Sequence, residues 1–446
     1  MIEFILDVWK SNPDGDAIVW RDRVYDYATL LRLFEEWKQR LPTLGAKPGS
    51  VVVLDADFSP NAVALFFALI GQRCVLVPLS TTISRDKRAD FMRVAGGEVV
   101  ISIDARDEVT SEPLAASGHR PLYDTLRERQ HPGLVLFSSG STGESKAAVH
   151  DLVPLLEKFK VRRKTLRAIS FLLYDHIGGV NTMLYTLANG GCLVTVERRD
   201  PDSVLVAVEK HRVELLPTSP TFLNLMLLSE AYKRHNLGSL RIITYGTEPM
   251  PEHTLKRLHE LRPDIALQQT YGLSELGILQ SKSRDADSLW VRIGGEGFET
   301  RVVDGVLHVK ARSSMLGYLN APSPFTEDGW FNTNDVVEVD GEYVRILGRK
   351  SDIINVGGEK VYPAEVENVI QELDEVAEVT VYGEKNAITG QIVCADVTAV
   401  SPLDKSELVA LVKHHCREKL QRYKVPVRVN VVTEQQHTER FKKSRR

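Results

Sequence analysis

The sequence predicts an α/β protein: a large N-terminal domain of mostly parallel sheets flanked by helices, with a small β-barrel, and then a small α+β C-terminal domain. Three changes of rhythm carry this reading. Up to about residue 270, short β-branched runs alternate with longer amphipathic segments, as parallel strands alternate with the helices that cross over them. From about Trp290, short strands follow one another through Asp-Gly and Gly turns, as in a small barrel or meander. After Arg349 a helix, two strands, a helix and a strand form a compact unit of nearly the smallest size that folds alone. The boundary falls at Arg349–Asp352, dividing the chain into 1–349 and 350–446.

In chain order, "SVVVLDA" reads as a strand, "NAVALFFALIG" as a helix and "CVLVPL" as the next strand. "LRAISFLL" and "CLVTVER" precede the helical "DSVLVAVEKH"; "VELLPTS" precedes the helical "TFLNLMLLSEAYKR"; "LRIITYG" precedes "PEHTLKRLHELR". In the middle region "ETRVVDGVLHVKA" and "DVVEVDGEYVRILG" are strand pairs. The last unit runs through "PAEVENVIQEL", "AEVTVYG", "IVCADVTAV", "KSELVALVKHHCREKL" and "VRVNVVT". No repeat of solenoid period interrupts this order.

At 446 residues the chain exceeds what one hydrophobic core organises. Acidic and basic residues number 60 and 56, a formal charge of -4, so the whole molecule has no bias toward nucleic acid or membrane. Basic charge gathers only in "ERFKKSRR". The opening "MIEFILDVWKSNPDGD" lacks the basic region of a secretory signal, and no apolar run reaches the roughly 18 residues of a membrane span. Cys74, Cys192, Cys394 and Cys416 follow no metal-ligand spacing. Cys74 and Cys394 lie in strand-like runs and read as buried free thiols. A cytoplasmic protein is expected.

The first chemical signal is "FSSGSTGESKAAVH", from Phe137 to His150, which follows the apolar run "LVLF". Glycines let backbone approach a ligand closely, and N–H groups, hydroxyls and a lysine suit anionic oxygens. A Walker loop needs G-x-x-x-x-G-K-[ST]. Here Gly140 and Gly143 stand three apart and Ser145 precedes Lys146, so a P-loop NTPase is disfavoured. Taken alone, the loop fits a phosphate cradle or a flexible linker equally well.

Further motifs follow in order: "TYGLSELG" (270–277), "GYLN", "DGWFNTNDV" and "GRKSDIINVGGEKVYPAEVE". Together with the Ser/Gly loop they resemble the adenylate-forming enzymes, which include acyl- and aryl-CoA synthetases, luciferases and peptide-synthetase adenylation domains. The resemblance spans nearly the whole chain. It implies that Ser138, Ser139, Gly140, Ser141, Thr142 and Gly143 close over the β- and γ-phosphates of ATP, with Lys146 as a point charge. Glu275 resembles the carboxylate that holds Mg²⁺, and Ser274 a donor to the α-phosphate. Within the same motif, with Thr270 and Gly272 as neighbours, Tyr271 is placed to pack on adenine and Gln269 to read its amino group. "ITYGTEP" resembles the loop beside the purine, with Gly246 allowing close approach; for Thr247 and Glu248 an ordinary turn remains an equal alternative.

Asp335 resembles the aspartate that binds both ribose hydroxyls, a task for an acceptor-only carboxylate. Asn334 stands where the family usually has glycine, and an Asx residue tolerates the left-handed backbone that a glycine supplies. Arg349 is similar to the arginine that also reaches the nucleotide. His176, in "LLYDHIGG", is placed like the acyl-CoA synthetase histidine between the carboxylate pocket and the α-phosphate. The alternative register puts Asp175 where peptide-synthetase domains hold an amino group. At the tail, "HTERFKKSRR" has Phe441 in place of the family glycine. Lys442 fits best as the lysine that bridges substrate and nucleotide, and Lys443 is the other register. Ser351 resembles the pivot about which the mobile C-terminal domain turns, and Gly357 and Gly358 the passage for a pantetheine arm.

The resemblance therefore implies activation of a carboxylic acid by ATP and Mg²⁺, followed by transfer to coenzyme A. A separate phosphopantetheinyl carrier protein as acceptor, or a non-catalytic nucleotide-binding homologue, are the alternatives. The segments expected around the acid, "DHIGGVN", "PTSPTFLN", "TYGTE" and "YGLSELGILQ", offer little formal charge and suit a modest apolar or aromatic acid.

Overall fold

The computed structural model describes residues 1–115, 118–139, 145–401, 404–434, 436–438 and 443. Two seven-stranded sheets organise the N-terminal part. In the first, Val51–Asp55, Val75–Leu79, Val99–Ile103 and Gly133–Ser139 run parallel. Antiparallel strands flank them: Val109–Pro113 at one edge, Ser145–Asp151 and then Gly317–Tyr318 at the other. In the second sheet, Asp16–Trp20, Cys192–Val194, Arg167–Ile169, Leu215–Thr218, Ile242–Tyr245 and Ala266–Gln269 run parallel, and Arg23–Asp26 turns back along the edge.

Continuous β-branched runs follow from burial on both faces: every residue of Val51–Asp55 and of Val75–Leu79 is buried. The helix Pro60–Gly71 is apolar all round because it is enclosed all round. It begins where Ser59 Oγ accepts the Ala62 N–H and proline takes the first turn. One core joins its Phe66 and Phe67 to Val52 and Leu54 of the first sheet, Ile18 and Leu193 of the second, and Val180 and Met183 of the helix Ile177–Ala188. That helix must dock closely. A Cβ on Gly179 would overlap the backbone carbonyl oxygens of Leu173 and Leu172.

The segment expected as one helix over "TFLNLMLLSEAYKR" divides in two. Pro220–Leu228 is α-helical, Glu230 turns left-handed at φ +50°, and a short 3₁₀ turn follows over Ala231–Lys233. The left-handed residue stops the helix, as C-terminal caps do. The barrel-like unit is a six-stranded antiparallel sheet in the order Ser281–Ser283, Val291–Ile293, Tyr343–Arg349, Phe331–Asp340, Val306–Ala311, Phe298–Val303. Its last hairpin turns through Asp304 and Gly305, both at positive φ, as a tight primed turn requires.

Beyond Arg349, strands Ile354–Val356, Glu359–Val361, Val376–Asn386, Gly390–Ala399 and Arg428–Val431 form a five-stranded sheet. Helices Pro363–Ile370 and Lys405–Lys419 pack on it through Val366, Ile370, Leu408 and Val412. All four cysteines are buried free thiols. Ser138, Thr218, Tyr245 and Gln269 lie at or beside carboxyl ends of parallel strands or of the adjoining hairpin, where open α/β sheets present their ligand crevice.

Gly179→Ala is expected to destabilise the fold by about 3 kcal/mol, because neither the Leu172–Leu173 backbone nor the buried helix can yield cheaply. Denaturant unfolding checks this; a loss under about 0.5 kcal/mol would show that the helix start is free to shift.

Candidate active site

Two adjoining cavities of about 300 and 270 Å³ open at these strand ends. Gly246, Thr247, Thr270, Gly272, Leu273 and Arg349 line both and form the partition. A Cβ on Gly246 would come within 2.7 Å of the Thr270 carbonyl oxygen, so the two loops meet backbone to backbone. Thr247 adopts φ +74°, a conformation that costs a β-branched residue and is held only by its surroundings.

Ser138 and Lys146 face each other on the hairpin that opens the first cavity, and both line it. Tyr318 ties this hairpin to the carboxylate opposite. Its ring lies under Lys146, with Nζ 5.4 Å from the centroid, and its hydroxyl donates to Glu275 Oε1 at 2.6 Å. Burial and the adjacent Glu275 push the Tyr318 pKa up, so the phenol keeps its proton and acts as donor. Asn320 pins the hairpin: its Oδ1 accepts from the Ala147 N–H and its Nδ2 donates to the Ser145 carbonyl.

The loop carrying Ser274 and Glu275 is held from behind. His150 is fully buried, and burial pulls its pKa down, keeping the ring neutral. Its Nε2 donates to the Ser274 carbonyl at 2.5 Å. The Glu275 carbonyl accepts from the Met315 N–H, and the Leu276 carbonyl from Ser313 Oγ. On the opposite wall His176 caps the helix Ile177–Ala188, its Nδ1 accepting from the Gly178 N–H at 3.1 Å. That acceptor role places the proton of a neutral ring on Nε2. His176 lines the cavity, whereas Asp175 is buried outside its lining.

The second cavity is lined by Glu248, Gln269, Tyr271 and Asp335. Asn334 stands at φ +59°, the left-handed backbone expected for a residue replacing glycine, and Asp335 follows it into the site. Asp335 accepts from Tyr271 OH at 2.6 Å and pairs with Arg349 Nε at 3.0 Å. Burial raises its carboxyl above the ordinary 3.8, opposed by Arg349 and the Tyr271 hydroxyl. Tyr271 is thus anchored through its phenol as well as presented to the cavity. Gln269 is 7% exposed and lines this cavity, and its Oε1 has no partner among the described residues, an acceptor left for a ligand's donor.

Glu248 accepts the N–H and hydroxyl of Thr221 and the backbone N–H of Lys443, the last at 3.1 Å. Lys443 Nζ pairs with Glu367 Oε2 at 2.8 Å, so the tail touches both domains at the edge of this cavity. Lys442 lies outside the described residues, as do Gly140, Ser141, Thr142 and Gly143. Ser139 pairs with Ser145 at the hairpin end. Ser351 sits in the short turn Lys350–Asp352, its hydroxyl on Asp352. Gly357 and Gly358, both at positive φ with open space at the Cβ, form a hairpin tip that lines neither cavity. The supporting residues His150, Tyr318, Asn320 and Thr221 were not singled out from the sequence; "GYLN" was noted as a motif, without the role its tyrosine and asparagine play.

A strand-end cavity divided into a hydroxyl- and lysine-lined half and a half with an orphan amide acceptor and a buried aspartate defines an adenylate-forming enzyme. The chain belongs to the AMP-binding enzyme family: that family's profile matches residues 6–319, and the profile of the AMP-binding enzyme C-terminal domain matches 365–442. It is an AMP-forming ligase. The indoleacetate–CoA ligase of Aromatoleum aromaticum is 28% identical over 94% of this chain and 91% of its own length. A feruloyl-CoA synthase of an Amycolatopsis species is 27% identical over 94% and 92%. The crystal structure of an anthranilate CoA ligase with anthranoyl-AMP superposes with a TM-score of 0.84 at 21% identity, over 98% of this chain and 95% of that one. Among the described residues no helix is long and apolar enough to cross a membrane.

Because folding raises the Asp335 pKa, its contribution to stability is complete below the unfolded value near 3.8 and is lost as pH rises through the folded value. Asp335→Asn is therefore expected to unfold at pH 7 no more readily than the parent. The difference should close toward pH 4, while AMP binding weakens about tenfold or more. Thermal unfolding against pH and calorimetric AMP titration check the two halves; a variant less stable at pH 7 with full AMP affinity contradicts both.

Proposed function

We propose that this ligase joins a small apolar or aromatic carboxylic acid to coenzyme A, with MgATP as the driving substrate. The observation that carries the reading is the divided cavity. Gln269, Tyr271 and Asp335 suit adenosine in one half, and Lys146, Ser274, Glu275 and His176 suit a triphosphate meeting a carboxylate in the other. Relatives named as acid–CoA ligases, matched over nine-tenths of both chains, support coenzyme A as the acceptor.

The donor set fits a metal carried in by the triphosphate. Among the described residues Glu275 is the one carboxylate lining the first cavity, and magnesium bound to ATP takes one or two carboxylates besides phosphate oxygens. The ion supplies charge neutralisation; the chain's own groups position the reactants. A carboxylate oxygen of the acid attacks the α-phosphorus, the bond to the β-phosphate oxygen breaks, and pyrophosphate leaves. Lys146 and the loop donors stabilise the charge that accumulates on phosphate oxygens. His176 Nε2–H is poised to donate to the acid's carboxyl oxygen. In the second half-reaction the thiol of coenzyme A, losing its proton, attacks the acyl carbon and AMP departs.

Lys443, held between Glu248 and Glu367, latches the tail across the two domains, and Lys442 supplies the charge for adenylation. The C-terminal domain then turns about Ser351 and carries the Gly357–Gly358 tip to the cavity, where two glycines let the pantetheine arm pass. The exposed, unobstructed tip supports this second arrangement.

Pyrophosphate release with ATP, Mg²⁺ and a panel of acids, followed by mass detection of the CoA thioester, tests the assignment. Release without thioester, and transfer instead to a phosphopantetheinyl carrier protein, would replace the acceptor; no release with any acid would remove the activity. Lys442→Ala is expected to slow adenylation by ~10²–10³ or more and to spare thioester formation from supplied acyl-AMP. Lys443→Ala is expected to slow adenylation by about tenfold, the effect of loosening a latch. Pyrophosphate exchange at the parent rate in Lys442→Ala, with collapse in Lys443→Ala, reverses the two roles.

A further inference from the structure

The first cavity has a cation behind its wall that adenylation does not employ. Lys158, in the turn Glu157–Phe159, donates from Nζ to Asn181 Oδ1 at 2.6 Å and to the Ile278 carbonyl at 2.8 Å. No ion pair to Lys158 occurs among the described residues, and burial pulls its pKa down only to about 8, so the ammonium persists at neutral pH. Asn181 and Ile278 line the cavity; the ammonium stands behind them.

An ammonium has donors only, so it takes the oxygen of the Asn181 amide and turns the NH₂ away from itself. No acceptor among the described residues takes that NH₂. A second polar group on the same cavity also lacks a partner among the described residues: Thr218, at the end of the strand Leu215–Thr218, is 2% exposed and its hydroxyl has none there. Natural proteins rarely leave such a group buried without use. Asn181 lies five residues beyond His176 on one helix, about 7 Å further along the axis. His176, Asn181 and Thr218 line the same cavity, so an acid whose carboxyl is at His176 can extend toward Asn181 and Thr218.

We propose that Asn181, oriented by Lys158, together with the Thr218 hydroxyl, reads a hydrogen-bond-accepting oxygen or nitrogen at the distal end of the acid. The substrate is then an aromatic or extended acid with a polar acceptor about 7 Å from its carboxyl carbon, not a plain alkyl or alkylaryl acid. This rests on the acid-binding part of the ligase reading and narrows it. Asn181 and Thr218 are specificity determinants that touch the acid. Lys158 is a positioning residue, and the field of a buried, unneutralised cation also favours the negative end of a substrate dipole.

The test compares 4-methoxyphenylacetate with 4-ethylphenylacetate, which differ by an ether oxygen in place of a methylene. In the parent, kcat/KM is expected to favour the methoxy acid by about tenfold or more, chiefly through KM, since a site built for a hydrogen bond rejects the isostere lacking it. Asn181→Leu and Lys158→Met should bring the ratio to within about threefold of one. Asn181→Asp, which keeps a partner for Lys158 but offers no donor, should lower it at least as far. A general structural defect would slow both acids and leave the ratio standing, and that result overturns the proposal, as does a parent with no preference. Should neither acid turn over, calorimetric binding with AMP present reads the same ratio. A preference lost in the variants then supports the Asn181–Thr218 reading, while the ligase reading is decided separately by the panel of acids. Equal binding, or binding of neither acid, overturns the proposal.

Discussion

Positive charge held beside a cavity by partial partners is the constraint on which this site rests. In the proposed reaction a triphosphate and a carboxylate repel each other, so cations have to stand where they would meet both. The protein must also keep those cations from swinging into solvent or burying themselves on full counter-ions. Lys146 lies over the Tyr318 ring, whose phenol is committed to Glu275. Arg349 rests on Asp335, and Lys443 on Glu367. Each partner holds a cation in position, and each leaves part of it available: a ring offers no formal charge, Asp335 is shared with Tyr271, and Glu367 also accepts from the Val381 N–H. The wall lysine, Lys158, carries the same logic one layer outward, through an amide.

Those contacts depend on the sheets beneath them. Ser138, Thr218, Tyr245 and Gln269 belong to strands whose neighbours fix them through ladders of backbone hydrogen bonds, while the helix 177–188 is clamped between two sheets by a glycine that admits no side chain. Rigidity below is what allows strain above. Thr247 and Asn334 hold left-handed backbone at the lip of the site, which local preference alone would not sustain. Asn334 does so at lower cost because its amide tolerates that region, and its backbone N–H donates to Asn332 Oδ1 at 2.8 Å. The missing glycine in "TND" is thus a change of residue without a change of backbone.

Much of this was legible in the sequence where the information is local. The alternation of "SVVVLDA", "NAVALFFALIG" and "CVLVPL" states the parallel sheet, since a strand buried on both faces must be apolar throughout. Gln269, Tyr271, Glu275 and Asp335 fall within ordered motifs, and the structure brings all four to the two cavities. What stayed hidden pairs residues far apart in the chain. Nothing near His150 announces that it will prop the Ser274 carbonyl 124 positions later, and nothing near Tyr318 points back to Glu275. The stop at Leu228 is hidden for another reason: Glu230 is an ordinary helix former, and only its tertiary setting turns it left-handed.

The tail shows how a motif can change spelling and keep its physics. The resemblance leads one to expect a glycine before the tail lysine; the sequence has Phe441 in that place, outside the described residues. The described part of the tail supplies anchors at three points. His437 pairs with Glu378 and bridges to Lys443, Gln436 bonds Glu378 and Thr398, and Lys443 reaches Glu248 through its backbone and Glu367 through its ammonium. Glu248 lies in the stretch matched by the AMP-binding profile and Glu367 in that matched by the C-terminal one, and Lys443 contacts both. Both carboxylates line the second cavity, so the tail's contacts and the wall of that cavity share the same two side chains.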